Sequence, residues 1–279
     1  MLAVGLSLAS SLSFGVADFL GGLSARRAAL LTVMVASQVT GLVVLVVFVA
    51  SIGGPLPGGE LVLRSLLASL FGVGGLAALY RGLAVGSMGV VAPLAATAAV
   101  IPVVVGAARG ESPSLVQYAG IALALGGVLL AARSPASTSA RRRFAAGAGL
   151  GVLAAGFIGC FLVAFDAAAT HDPYWAALVV RSGSVAVLAL ATLARRPPLR
   201  VAPGILAVVA AAGVLDVLGN TLFAVASTKG LVGVVAVLSS LYPIVTAALA
   251  RTVLGERIAR SQAAGVAAAL SGVTVLSLA

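Results

Sequence analysis

The sequence predicts an all-α membrane protein, a bundle of ten transmembrane helices built as two inverted five-helix repeats. Three observations lead there. Of 279 residues, 61% are hydrophobic and 9% charged, where soluble domains carry about a quarter charged residues; the mean hydropathy is +1.21. The apolar runs are apolar all round, whereas closed strands would give alternating segments of about ten residues. The runs are also evenly spaced. At about 20 residues per crossing, ten of them use roughly 200 positions, which leaves short connections and no room for a soluble domain.

Each run is bounded by charge, Pro or Gly clusters. Leu2 to Leu20 has no basic segment before it and nine runs after it, so it is expected to be a helix and not a secretory leader. Leu30 to Ile52 lies between Arg26-Arg27 and the Gly/Pro-rich segment 53–59. Leu61 to Tyr80 ends at Arg81, and Met88 to Ala108, which contains Pro93 and Pro102, ends at Arg109. Ser114 to Ala132 carries Gly120, Gly126 and Gly127 and stops at Arg133. After the longest connection, Phe144 to Ala169 sets Gly147, Gly151 and Ala155 at every fourth position, a ridge suited to close helix packing. Tyr174 to Ala194 follows the tight His171-Asp172-Pro173 turn and stops at Arg195-Arg196. Pro203 to Ala226, Leu231 to Leu254 with its internal Pro243, and Ser261 to Ala279 complete the series.

The expected organisation is a first repeat over 1–132, a cytoplasmic linker over 133–143 and a second repeat over 144–279. Sliding one half over the other aligns GVVAPLA at Gly89 with GVVAVLS at Gly233. The alignment continues through Gly110-Glu111 against Gly255-Glu256, then Gln117, Gly120 and Gly127 against Gln262, Gly265 and Gly272, at a nearly constant offset. Five spans is an odd number, so the halves must insert with opposite orientation, as in many secondary transporters.

An apolar helix with a central Pro, then Gly-Glu, a short polar turn, Gln, Gly and a Gly-containing apolar helix, present twice, resembles the EamA repeat of the drug/metabolite transporter superfamily. The resemblance covers Leu83 to Ala132 and Val225 to Ala279. SSLYPIVTAALARTVLGERIARSQAAG is the closer copy; in the first, Pro102 lies one turn nearer its Gly-Glu, so its kink is expected to sit differently. The resemblance implies a central cavity and transport, more often export, of a small metabolite or drug across the inner (plasma) membrane. It does not select among amino acids, drugs, nucleotide sugars and other metabolites.

An acidic side chain at the centre of a membrane helix costs about 2.5–3.5 kcal/mol on insertion scales, so it must face a cavity or a partner. Asp216 lies near the middle of its run and Asn220 is one turn on, on the same face. The bland reading is a helix-packing hydrogen bond; the functional one is a substrate or proton site. Asp18 and Asp166 sit near the ends of their runs, where interfacial solvation competes with a site role. Arg181 lies across the short turn from Asp166, and a structural ion pair between them is expected. Tyr80 and Tyr242 are candidates for the cavity or the interface. Ser239 and Ser240, just before Pro243, are expected to bond carbonyls freed by the kink. Pro93, Pro102 and Pro243 are the candidate hinges. Glu60, Glu111, Asp172 and Glu256 fall at run ends, where solvation or capping is the default.

Other chemistries are poorly served. One cysteine, Cys160, cannot form an intrachain disulfide, and one histidine, His171, cannot seed a histidine metal cluster, so no metal or cofactor is expected. There is no Walker loop, and GAGLG at residues 147–151 lacks the strand a nucleotide site needs. The chain is therefore not expected to be an enzyme. The net charge of +10 sits in short runs between spans and reads as topology, not as nucleic-acid binding. Arg26, Arg27, Arg81, Arg133, Arg141 to Arg143, Arg195, Arg196, Arg200, Arg257 and Arg260 mark one side; Arg64, Arg109 and Lys229 mark the other. Both termini are thus expected outside. The expected partners are a small-molecule substrate, moved either with proton coupling or by facilitated diffusion, and the bilayer, with the chain a monomer or homodimer. The rival reading is a flippase or accessory membrane subunit for a lipid-linked substrate.

Overall fold

Runs with no polar face can satisfy their backbone in lipid only as helices, and every regular element among the described residues is helical. The computed structural model describes residues 2–110, 114–131, 138–196, 202–255 and 260–278. The helices are α1 (Leu2–Ala25), α2 (Leu30–Ile52), α3 (Gly59–Val85), α4 (Met88–Ala96), α5 (Val100–Ala108), α6 (Leu115–Ala131), α7 (Thr138–Ala169), α8 (Pro173–Arg195), α9 (Pro203–Ser227), α10 (Val232–Ser239), α11 (Tyr242–Leu254) and α12 (Arg260–Leu278). A 3₁₀ turn, Thr97–Ala99, joins α4 to α5.

Among the described residues, eight segments are long and apolar enough to cross a bilayer: α1, α2, α3, the broken rod Met88–Ala108, Gly147–Ala169 of α7, α8, α9 and the broken rod Val232–Leu254. This is fewer than the ten expected. α6 has 17 residues, about 26 Å at 1.5 Å per residue against a hydrocarbon core of about 30 Å. In α12 the described apolar stretch is Ala263–Gly272. The two pack along each other: a Cβ on Gly127 would lie 2.2 Å from the Ala269 backbone nitrogen and 2.7 Å from the Gly265 carbonyl oxygen. α7 begins at Thr138, inside the segment 133–143 expected as the connection. Glu111 and Glu256, the acids of the two Gly-Glu pairs, lie outside the described residues.

Local signals behave as their chemistry requires. Asp172 caps α8, accepting hydrogen bonds from the Tyr174 and Trp175 amides at 2.8 and 2.9 Å, with Pro173 in the first turn. Gly255 ends α11 at φ +64°, a left-handed cap that a side chain would strain. Glu60 pairs with Arg64 one turn along α3.

The two kinks fall in matching places, contrary to expectation. The first rod breaks over Thr97–Ala99 and the second over Ser240 and Leu241. Pro102 and Pro243 each lie in the first turn of the following helix, where a missing N–H costs no intrahelical bond. The break therefore precedes the proline in each rod, and a one-turn shift of the proline does not move it. Pro93 stays inside α4 without breaking it.

Packing pairs the halves crosswise. α1 lies along α9 and α3 along α7; α2 packs on α9 and α3 on α8; α1 meets α10 and α11, and α7 meets α4 and α5. Glycines set these approaches. A Cβ on Gly15 would lie 2.5 Å from Val245 Cβ and 2.7 Å from the Tyr242 carbonyl oxygen. On Gly159 it would lie 2.4 Å from Ile101 Cδ1 and 2.8 Å from the Ala98 carbonyl oxygen. Gly15 and Gly159, Tyr242 and Ala98, and Val245 and Ile101 are each 144 positions apart, so one close contact occurs twice. The Gly147, Gly151 and Ala155 ridge packs as expected, Gly147 against Gly86 and Gly151 against Leu94.

Candidate functional site

A cavity opens among α1, α2, α3, α7, α8, α9, α10 and α11, with an envelope of about 920 Å³ that includes open solvent at its mouth. Several lining residues share one sequence offset: Phe14 and Ile158, Asp18 and Leu162, Gly72 and Asp216, and Leu76 and Asn220 each stand 144 positions apart. Helices from before and after residues 133–143 thus contribute to the cavity together. Equivalent places differ in polarity, so it has a polar flank built on α1, α2, α8 and α9 and an apolar flank built on α3 and α7.

The polar flank is organised by Arg181, which is 5% exposed. One terminal nitrogen donates to Asp216 Oδ2 at 2.5 Å, and the other donates to Gln38 Oε1 at 2.5 Å. Asn220 Nδ2 donates to the Asp216 backbone oxygen at 2.8 Å and to its Oδ1 at 3.2 Å. A guanidinium at mid-helix depth is tolerated only with such partners, and its fork serves two acceptors at once. The i, i+4 spacing of Asp216 and Asn220 on α9 supplies the remaining bond.

This corrects one expectation. Arg181 pairs with Asp216, not with Asp166. Asp166 lies on α7 in the lining of a separate depression with Arg64, Arg109 and Thr170. Helical phase decides: residues near in sequence across the α7–α8 turn point into different clefts, while α8 and α9 bring Arg181 and Asp216 together.

The other candidates separate in the same way. Asp18, 6% exposed, lines the cavity, as do Ser239 and Tyr242 at the α10–α11 break. Tyr80 does not line it; it is buried over Gly21, where a Cβ would lie 2.1 Å from its Cζ. The two serines also divide. Ser240 Oγ donates to the Ala236 carbonyl at 2.7 Å, as expected at a kink, whereas Ser239 Oγ is buried without a hydrogen-bond partner among the described residues, as is Tyr242 Oη.

Gln38, Ser184 and Phe14 also line the cavity and were not among the sequence candidates. Gln38 carries a readable signal, an amide inside an apolar run. Phe14 meets Tyr242 edge-on at 6.5 Å, and Phe161 stacks on Phe165 at 5.2 Å. Phe14, Phe161 and Phe165 give the site its aromatic walls. The arrangement suits reversible binding of a small solute with polar and apolar parts.

Comparison with known proteins bears on the same point. No curated protein matches the sequence. One solved crystal structure superposes with a TM-score of 0.72 at 18% identity, over 99% of this chain and 96% of that one, which shows a common fold. The model of the EamA-like transporter family matches in two segments, residues 1–133 and 145–278. With these segments spanning nearly its whole length, the chain belongs to the EamA-like transporter family, membrane transporters of the drug/metabolite type.

Proposed function

We propose that this chain is a secondary transporter, working as an exporter, that moves a small water-soluble metabolite or drug by alternating access through the central cavity. The observation that carries the reading is the cavity's construction from equivalent residues of both halves. In a pair of inverted repeats such a site lies on the pseudo-twofold axis, near the bilayer midplane, and rocking one half against the other exposes it to either side in turn.

The crosswise packing and the twice-occurring Gly15 and Gly159 contacts support two inverted repeats, 1–132 and 144–279, joined by the 133–143 linker. In this reading α6 and α12 are the fifth span of each half. The breaks at Thr97–Ala99 and Ser240–Leu241 are the hinges, since backbone bonds are weakest there and small residues border them. Asp216, Asn220 and Arg181 are the polar end of the substrate site, with Asp18, Ser239 and Tyr242 beside them. Arginine bias places the linker in the cytoplasm and both termini outside.

The test is flux in proteoliposomes of purified protein against a metabolite and drug panel, with and without a pH gradient. Carrier-dependent flux of at least one water-soluble solute is expected. Absence of all such flux, together with protein-dependent lipid scrambling, would establish the flippase instead.

A further inference from the structure

The cavity's described lining holds two carboxyl groups and one guanidinium, Asp18, Asp216 and Arg181, and only one of the acids is matched. Arg181 is committed to Asp216 and Gln38, and Asn220 adds an N–H to Asp216. Asp18 has no hydrogen bond or ion pair among the described residues, although it is 6% exposed. The Ser239 and Tyr242 hydroxyls, both at least nine-tenths buried, also lack partners. A buried carboxylate is costly unless paired or neutralised. Asp18 therefore calls for a positive charge that the cavity's own residues do not supply.

Building on the transport reading above, we propose that Asp18 is the cation-binding carboxylate of the cavity, taking an amphipathic organic monocation for which a proton competes. The substrate class is an apolar body bearing one amine or quaternary ammonium. With its three charged groups ionised the lining carries one net negative charge, which one such cation cancels. Leu76, Leu79, Ile158, Phe161, Leu162 and Phe165 offer the apolar body a wall. Phe14 and Tyr242, which meet edge-on, line the same cavity as Asp18 and supply aromatic rings of the kind that attract an ammonium. An anion, or the carboxylate of a zwitterion, would have to displace Asp216 from Arg181. A cation at Asp18 breaks no bond.

From the elements packed on α1, the titratable groups in electrostatic reach of Asp18 are Asp216 of α9, Tyr80 of α3 and Tyr242 of α11. Gln38 and Ser239 are the polar cavity residues on α2 and α10, and Arg181 of α8 completes the charged lining. Arg181 keeps Asp216 in its ion pair, so Asp18 is the acid left for proton and cation to share.

The test is calorimetric binding to the purified full chain in detergent, using four ligands with one aromatic body: 2-phenylethylammonium, benzyltrimethylammonium, 2-phenylethanol and 3-phenylpropionate. Both cations are expected to bind at least tenfold more tightly than the alcohol and the acid. Asp18→Asn should abolish that preference, and Asp18→Glu should retain it; the Glu variant decides the matter if the Asn variant does not fold. Benzyltrimethylammonium cannot titrate, so its affinity should fall up to tenfold per pH unit as pH drops through the carboxyl's own titration, and stay flat in Asp18→Asn. Alcohol or acid binding as tight as the cations', or cation affinity unchanged in Asp18→Asn, would overturn the proposal. The two readings fail separately: flux of anions without cation-selective binding removes this site and leaves transport, while cation-selective binding without any flux keeps the site and removes transport.

Discussion

Arg181→Met removes the guanidinium and leaves Asp216 as an unmatched carboxylate between α8 and α9. The paired side chains are 6% and 17% exposed. Removing one member of a fully buried pair costs about 3–5 kcal/mol. Asp216 borders the cavity and keeps its hydrogen bond from Asn220, which relieves part of the burden and places the loss at the low end, about 3 kcal/mol. At about 2–4 °C per kcal/mol for domains of comparable size, the unfolding midpoint should fall by about 6–12 °C. Asp216→Asn alone leaves a guanidinium that still has Gln38 as acceptor, so its loss should be smaller. The double variant Arg181→Met with Asp216→Asn has no unpaired charge and should recover most of the deficit. The assay is a double-mutant cycle of thermal unfolding by circular dichroism, all four proteins in one detergent. An Arg181→Met midpoint equal to the parent's, or a double variant whose loss equals the sum of the singles, would refute the pairing argument.

Three further outcomes follow from particular contacts. Neighbouring glycines of α6 should respond oppositely to alanine: Gly127→Ala forces a Cβ within 2.2 Å of the Ala269 nitrogen, while Gly126→Ala meets nothing within 4 Å. The first should cost about 1–3 kcal/mol and the second gain about 0.5–1 kcal/mol, read from the same unfolding midpoints. Tyr242→Phe removes a hydroxyl without a protein partner, so the midpoint should move by less than about 0.5 kcal/mol while affinity for a bound solute changes several-fold; a large stability loss with unchanged affinity would make the hydroxyl structural. A reporter active only in the cytoplasm, fused after Ala279, should be silent, and activity there would reverse the assigned orientation.

Composition and hydropathy alone determined that the chain is helical and lies in a membrane, because a backbone in lipid has few ways to satisfy its hydrogen bonds. Gly89 and Gly233 with their followers align in the sequence, and the close contacts of Gly15 and Gly159 stand at the same 144-residue offset. Asp216 and Asn220 stood out because polar residues in the middle of an apolar run must face something other than lipid, and both line the cavity. What sequence could not supply was rotation about each helix axis in the folded bundle. Asp166 is 15 residues from Arg181 and Asp216 is 35 away, yet the nearer acid faces another cleft, and only the packing of α8 on α9 joins the farther one to the arginine. The same holds for Tyr80 and Tyr242, both candidates for the cavity or the interface: Gly21 admits one into the packed interior, and the other lines the cavity at the break between α10 and α11. It holds most for Asp18, whose lack of a partner depends on where Arg181 spends its two hydrogen bonds, a choice set by four helices at once.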